Sequence, residues 1–163
     1  MLDTSIVIYT IKNRPEHVCQ AFKQHENQMC ISAVTFGELI YDTEWSAQPE
    51  RNLADIEGLI ARLEVASFEA HAAEHFGQLR AELYRIGKPI GPYDMMIAGH
   101  ARAMGLILIT NNMKEFERVP GLRLKNWAWA EEQYWVDTIL NLNLIATVTK
   151  TEKWKQQDRY FIC

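Results

Sequence analysis

A chain of 163 residues has the size of one ordinary domain, large enough to bury a real core. Hydrophobic residues at 48% and charged residues at 23% fit a soluble globular protein and exclude a disordered one. The net charge of −4 excludes a generally basic nucleic-acid binder, though a local basic surface remains compatible with it.

In chain order, Met1-Leu2 reads as the end of a strand that began upstream, and Asp3 follows it. Residues 5–11 begin a helix with Asp3 or Thr4 as its cap, and residues 15–25 form a second with Pro15 near its start. Residues 29–32 are a short buried strand leading into a helix that carries Glu38 and runs to about Trp45. Leu53, Ile56, Leu59, Ile60 and Leu63 recur with helical period, and residues 63–65 form another strand. A helix over 69–86 ends at Gly87, where a left-handed cap is expected. Gly91-Pro92 restarts the chain into the Asp94 helix, which Gly105 closes. The continuous apolar run 106–110 predicts a strand buried on both faces, and 122–124 is a weaker last strand. This alternation predicts an α/β layered domain with a mostly parallel sheet.

Residues 140–148 alternate near strand period, and residues 150–163 are polar and irregular. The stretch around 139–148 is too short and too polar to span a membrane. No signal peptide is visible, and Cys19, Cys30 and Cys163 show no zinc spacing, so a reducing cytoplasm is expected.

Three acids occupy positions where an ordinary fold has little use for a charge. Asp3 stands just past the first strand, Asp94 lies in the first turn of a helix, and Glu38 lies inside an apolar helical run. Ligands of open parallel sheets bind at the carboxyl ends of the strands, which Asp3 and Asn111-Asn112 both reach. Ile97, Ala98 and Ala101 continue the Asp94 face, while Val34 and Tyr41 flank Glu38, so both acids are expected at the end of a buried face. Each acid alone has an ordinary explanation as a cap or a dipole partner. Gathered together, carboxylates repel one another unless a cation holds them, which points to a divalent metal site.

Four blocks in order carry a resemblance: Met-Leu-Asp-Thr-Ser at 1–5, Ile-Ser-Ala-Val-Thr-Phe-Gly-Glu-Leu at 31–39, Gly-Pro-Tyr-Asp-Met-Met-Ile-Ala at 91–98, and Ile-Thr-Asn-Asn-Met-Lys-Glu-Phe at 109–116. Together they resemble PIN-domain ribonucleases, and among these the VapC toxins of bacterial type II toxin–antitoxin modules, especially the enterobacterial kind. The resemblance covers residues 1–128 and implies a three-layer α/β/α domain with four to five strands, leaving 129–163 as a C-terminal extension. That tail is expected to be an extra strand or, preferably, an adventitious extension such as follows loss of a stop codon. The resemblance further implies that Asp3, Glu38 and Asp94 are metal ligands and catalytic acids. It puts Asn112 at the fourth acidic position, with Glu115 as the alternative source of charge. Thr4, Ser5, Thr35 and Thr110 match the hydroxyl positions that hold the carboxylates, although Thr4 and Thr35 also read as local caps.

Oxygen-only ligands suit Mg²⁺, with Mn²⁺ as a substitute. The implied activity is metal-dependent endoribonuclease action on tRNA, initiator tRNA in particular, by a homodimer silenced by a VapB-type antitoxin. Arg80, better placed than Arg85 or Lys88, is a candidate phosphate contact, with a surface salt bridge as its alternative. His71 and His75 are spaced i,i+4 but lack a third ligand, so solvated helix positions are expected, and His100 is expected to point away from Asp94. Phe36, Tyr41 and Trp45 read as core or antitoxin contacts. The rival readings are a catalytically silent binding module and a phosphoryl-accepting receiver domain, and the latter lacks an early acidic pair.

Overall fold

Leu2 holds the centre of the sheet: it is fully buried and bridges Ile31 on one side and Ile109 on the other, both in parallel. The computed structural model describes residues 1–13 and 15–128. Strand β1 (Cys30–Ser32) pairs with β2 (Glu64–Ala66), and β3 (Ile107–Ile109) pairs with β4 (Arg123–Lys125), again in parallel. Leu2 N–H donates to the Cys30 carbonyl at 2.8 Å and Asp3 N–H to that of Ile109 at 2.9 Å, which joins the two pairs. The resulting order is β2-β1-Leu2-β3-β4, a parallel sheet as the sequence predicts.

The strand pleat sorts side chains onto two faces. Met1, Cys30 and Leu108 join a core with Leu79 and Leu83 of α5 (Ala70–Arg85) and with Met95, Ile97, Ala98 and Ala101 of α6 (Pro92–Ala103). Leu2, Ile31 and Ile109 point the other way. They meet α1 (Thr4–Asn13), α2 (Glu16–Gln24), α3 (Ala33–Glu44) and α4 (Pro49–Ile60) through Ile6, Val18, Leu39 and Leu59. Helices on both faces make the three-layer α/β/α domain. Helices α5 and α6 pack tightly at Gly99 of α6, where an added Cβ would lie 2.7 Å from the Phe76 nitrogen of α5. Among the described residues no helix is long and apolar enough to cross a membrane.

Three expectations need correction. Ile107 is 42% exposed and Leu106 half-buried, so the predicted burial of 106–110 holds for Leu108, Ile109 and Thr110. Tyr41 and Trp45 are 65% and 82% exposed, so of the two readings given for them, core or antitoxin contact, the core one fails. Residues 113–116 form a further short helix, α7 (Met113–Phe116), too brief to show a period and anchored by the fully buried Phe116. Residues 129–163, with their predicted alternating strand, lie outside the described residues.

Candidate functional site

The carboxyl ends of the central strands deliver the first acid. Asp3 is buried, and two hydroxyls converge on one of its oxygens. Its Oδ2 accepts from Ser5 Oγ at 2.6 Å, from Thr110 Oγ1 at 2.8 Å and from Ser5 N–H at 3.4 Å. Its Oδ1 is buried with no hydrogen-bond partner. Thr110, fully buried at the end of β3, is the hub: its hydroxyl also accepts from Asn112 N–H at 2.9 Å and lies 3.2 Å from Ser5 Oγ. Asn112 is thereby tied to the site through its backbone.

Glu38 arrives from α3. Ser32 caps that helix by accepting from Val34 N–H at 3.1 Å, so the helix starts directly off β1. Glu38, half-buried, accepts on Oε2 from the Thr4 hydroxyl at 2.5 Å. Asp94 sits in the first turn of α6 behind Pro92, where a carboxylate favours the helix dipole. Gly91 leaves room for it, since a Cβ there would stand 3.0 Å from Asp94 Oδ2. The buried Ile97, Ala98 and Ala101 anchor the helix behind it, as the sequence predicts. Glu115 on α7 is paired with Arg118 at 3.2 Å, and Arg118 also donates to the Pro89 carbonyl at 3.3 Å.

The acids sense one another. Burial pushes the Asp94 carboxyl up to about 6, and the charges of Asp3, Glu38 and Glu115 push the same way. Burial also raises Asp3, against its hydroxyl and amide donors, which favour the carboxylate. Glu38 is raised by burial, opposed by the Thr4 bond and reinforced by Asp3 and Asp42.

Among the described residues, no three His, Cys, Asp or Glu side chains stand close enough to enclose a metal ion. Asp3, Glu38 and Asp94 lie near enough for their charges to act on one another, yet they do not close around one point. An open set suits Mg²⁺, which keeps several waters and binds through one or two carboxylates rather than a full protein cage. The orphan Asp3 Oδ1, the all-oxygen donors and the mutually raised carboxyls fit such an ion.

The remaining candidates fall in different places. Thr35 is buried one turn before Glu38, and its hydroxyl has no hydrogen-bond partner. Arg80 is exposed on α5 with its guanidinium over the Tyr84 ring, 5.7 Å from the centroid. His75 is half-buried rather than solvated: its Nδ1 accepts from Arg102 at 3.3 Å and its ring meets His71 edge-on at 4.8 Å. His100 does point elsewhere, into a buried contact with Ser32 Oγ at 2.9 Å. Asp42 and Arg118 escaped the sequence reading, although Asp42 lies at i+4 from Glu38 and Arg118 at i+3 from Glu115, spacings that place each beside its partner on a helix surface.

A family model described as PIN domain matches residues 1–122. The tRNA(fMet)-specific endonuclease VapC of Shigella flexneri is 58% identical over 128 residues, 78% of this chain and 97% of that protein. The protein of the same description from Salmonella typhimurium is 57% identical, covering 78% of this chain and 96% of its own length. Among solved structures, a chain of DNA-bound VapBC from Salmonella typhimurium superposes with a TM-score of 0.76 at 57% identity, over 78% of this chain and 96% of that one. VapBC2 from Rickettsia felis bound to a promoter DNA fragment gives 0.75 at 36%, over 78% and 97%. Sequence blocks and three-layer fold agree with these matches: the chain belongs to the PIN-domain family, in its VapC branch.

Proposed function

We propose that this chain is a Mg²⁺-dependent endoribonuclease, the toxin of a VapBC-type pair, which hydrolyses tRNA and is silenced by a VapB-type antitoxin. Mn²⁺ would substitute for Mg²⁺, since both take oxygen ligands. The observation that carries the reading is Asp3: one carboxylate oxygen saturated by three donors, the other buried and bare. Leaving such an oxygen unpaired costs about 1–3 kcal/mol or more, a cost that a bound cation would relieve.

In this reading Asp3, Glu38 and Asp94 hold the ion, and Asn112 or Glu115 completes the set. The ion supplies Lewis acidity at the scissile phosphate and acidifies water. Ser5 and Thr110 hold the Asp3 carboxylate by Oδ2 and Thr4 holds that of Glu38 by Oε2, which would leave the other oxygen of each for the ion. Thr35 offers a further hydroxyl from the same helix. Without the ion the acids repel phosphate, so substrate binding requires it. Arg80 is left out of this set, because its guanidinium lies over Tyr84. The names of the relatives, which specify tRNA(fMet), support initiator tRNA as the target. We assign catalysis to residues 1–128, with a homodimer as the working form and 129–163 as an extension.

The test is cleavage of bulk tRNA by purified protein with Mg²⁺ or Mn²⁺, against EDTA and Asp94→Asn controls. Discrete fragments that need both the metal and Asp94 are expected, and removal of residues 129–163 should leave the fragments unchanged. Absence of cleavage by folded, antitoxin-free protein would overturn the reading.

A further inference from the structure

Beside the acidic cluster lies a cavity of about 730 Å³, within the size range of small-molecule sites. Thr4 and Glu38 form the wall it shares with the cluster, and Val34 and Met96 add apolar lining. Two aromatic rings border it from different elements: Tyr41 of α3, 65% exposed, and Tyr93 of α6, 56% exposed. We propose that this cavity receives one unstacked nucleobase of the RNA substrate, with Tyr41 and Tyr93 as its stacking surfaces; the proposal rests on the ribonuclease reading above.

The chemistry selects a base over other occupants. Glu38 and Asp42 both line the cavity, so a phosphate is repelled from its interior, while the N–H edges of a base find carboxylate acceptors. Exposed tyrosines over an apolar floor match the aromatic platforms on which single-stranded nucleic acid stacks. The common wall then decides the register: a base seated here puts its own backbone beside Thr4 and Glu38, next to the acids that would hold the ion. Sequence-specific recognition of RNA targets loops whose bases can be splayed out, so the site takes loop nucleotides in preference to a duplex.

Gly37 gives a way to close the cavity without touching the acids. It lines the cavity from within α3, and a Cβ added there meets nothing within 4 Å. Gly37→Leu would fill the space and raise helix propensity, so failure to fold is not its expected outcome.

The experiment is steady-state cleavage of a defined RNA stem-loop by the full chain with Mg²⁺, comparing wild type, Tyr41→Ala, Tyr93→Ala, Tyr93→Phe and Gly37→Leu. Each alanine variant is expected to raise KM about tenfold with kcat nearly unchanged, since stacking contributes about 1–3 kcal/mol per base. Tyr93→Phe should retain the wild-type KM, because the ring face is kept, and Gly37→Leu should raise KM at unchanged Mg²⁺ affinity. Wild-type cleavage with an unmoved KM in both alanine variants and in Gly37→Leu overturns the base site while leaving the nuclease standing. If those variants instead weaken self-association with KM unmoved, the face belongs to a second copy and the proposal is equally overturned. No wild-type cleavage at all would be a failure of the nuclease reading itself.

Discussion

Two polar clusters in this domain obey opposite rules. Around Arg102, largely buried, the charge is paired: the guanidinium donates to Glu82 at 3.1 Å, to His75 Nδ1 at 3.3 Å, and to the carbonyls of His75 and Pro120 at 3.4 Å. Around Asp3 the charges share one sign, Oδ1 has no partner, and the carboxyls of Asp3, Glu38 and Asp94 are all raised. The first cluster fastens α5 to α6 and is complete within the chain. The second leaves a buried acceptor without a partner in the chain. A buried polar atom left bare calls for an explanation, and the proposed cation is one.

The sharpest way to break this comparison is to remove one carboxylate. Asp3→Asn should lower tRNA cleavage by about a thousandfold or more, because a metal centre supplies several kcal/mol of transition-state stabilisation. Folding should persist, since the amide oxygen can still accept from Ser5 and Thr110. Cleavage within tenfold of wild type would show that Asp3 is an ordinary cap. Next in size is Thr110→Val, which keeps the shape but deletes the donor to Asp3 Oδ2 and the acceptor for Asn112 N–H. Outer partners of ligands are worth about 10- to 100-fold in metal affinity, and calorimetric Mg²⁺ titration should read a loss of that order.

Arg102→Ala probes the other cluster and should give the reverse pattern. Hydrogen bonds to charged groups contribute about 1.5–3 kcal/mol, so urea unfolding should show a loss of about 2 kcal/mol. The cleavage rate of the folded protein should stay at the wild-type value. A large rate defect with intact stability would mean that the brace reaches the site, and the two clusters could no longer be treated as separate.

Much of this was legible in the sequence because strands and acids leave local marks. The apolar stretches at 30–32 and 107–109 lie where strands form, and Asp94 behind Gly91-Pro92 reads directly as a first-turn acid. What sequence could not show is which partners meet across long separations. The Thr4 bond to Glu38 spans 34 positions and the Thr110 bond to Asp3 spans 107, and no periodicity encodes either. The same gap hid the bare Oδ1 and the open form of the acid set. Helix α7 was missed because four residues are barely more than one turn, too few for a period. The exposure of Tyr41 was hidden for another reason: its i+3 spacing from Glu38 puts it on the same flank, but burial depends on what faces that flank, and a cavity does.

The smallest expected effect concerns pH. A carboxyl raised in the folded state binds its proton more tightly there than in the unfolded chain. Stability from that proton is present below the ordinary carboxyl range and is lost as pH rises through the folded value, about 6 for Asp94 against an ordinary 3.8. Asp3 and Glu38 shift in the same direction. Metal-free protein should therefore lose stability from about pH 4 to about pH 6 more steeply than Asp94→Asn, in which that titration is gone. Mg²⁺ must displace the same proton, so the rise in melting temperature it causes should grow between pH 5 and pH 7 in wild type and grow less in Asp94→Asn. Arg102→Ala lies outside the acidic cluster and should keep the wild-type Mg²⁺ dependence on pH while melting lower throughout. A Mg²⁺ effect independent of pH in wild type would mean that the cation binds away from the raised carboxyls, and the distinction between brace and site would have to be drawn elsewhere.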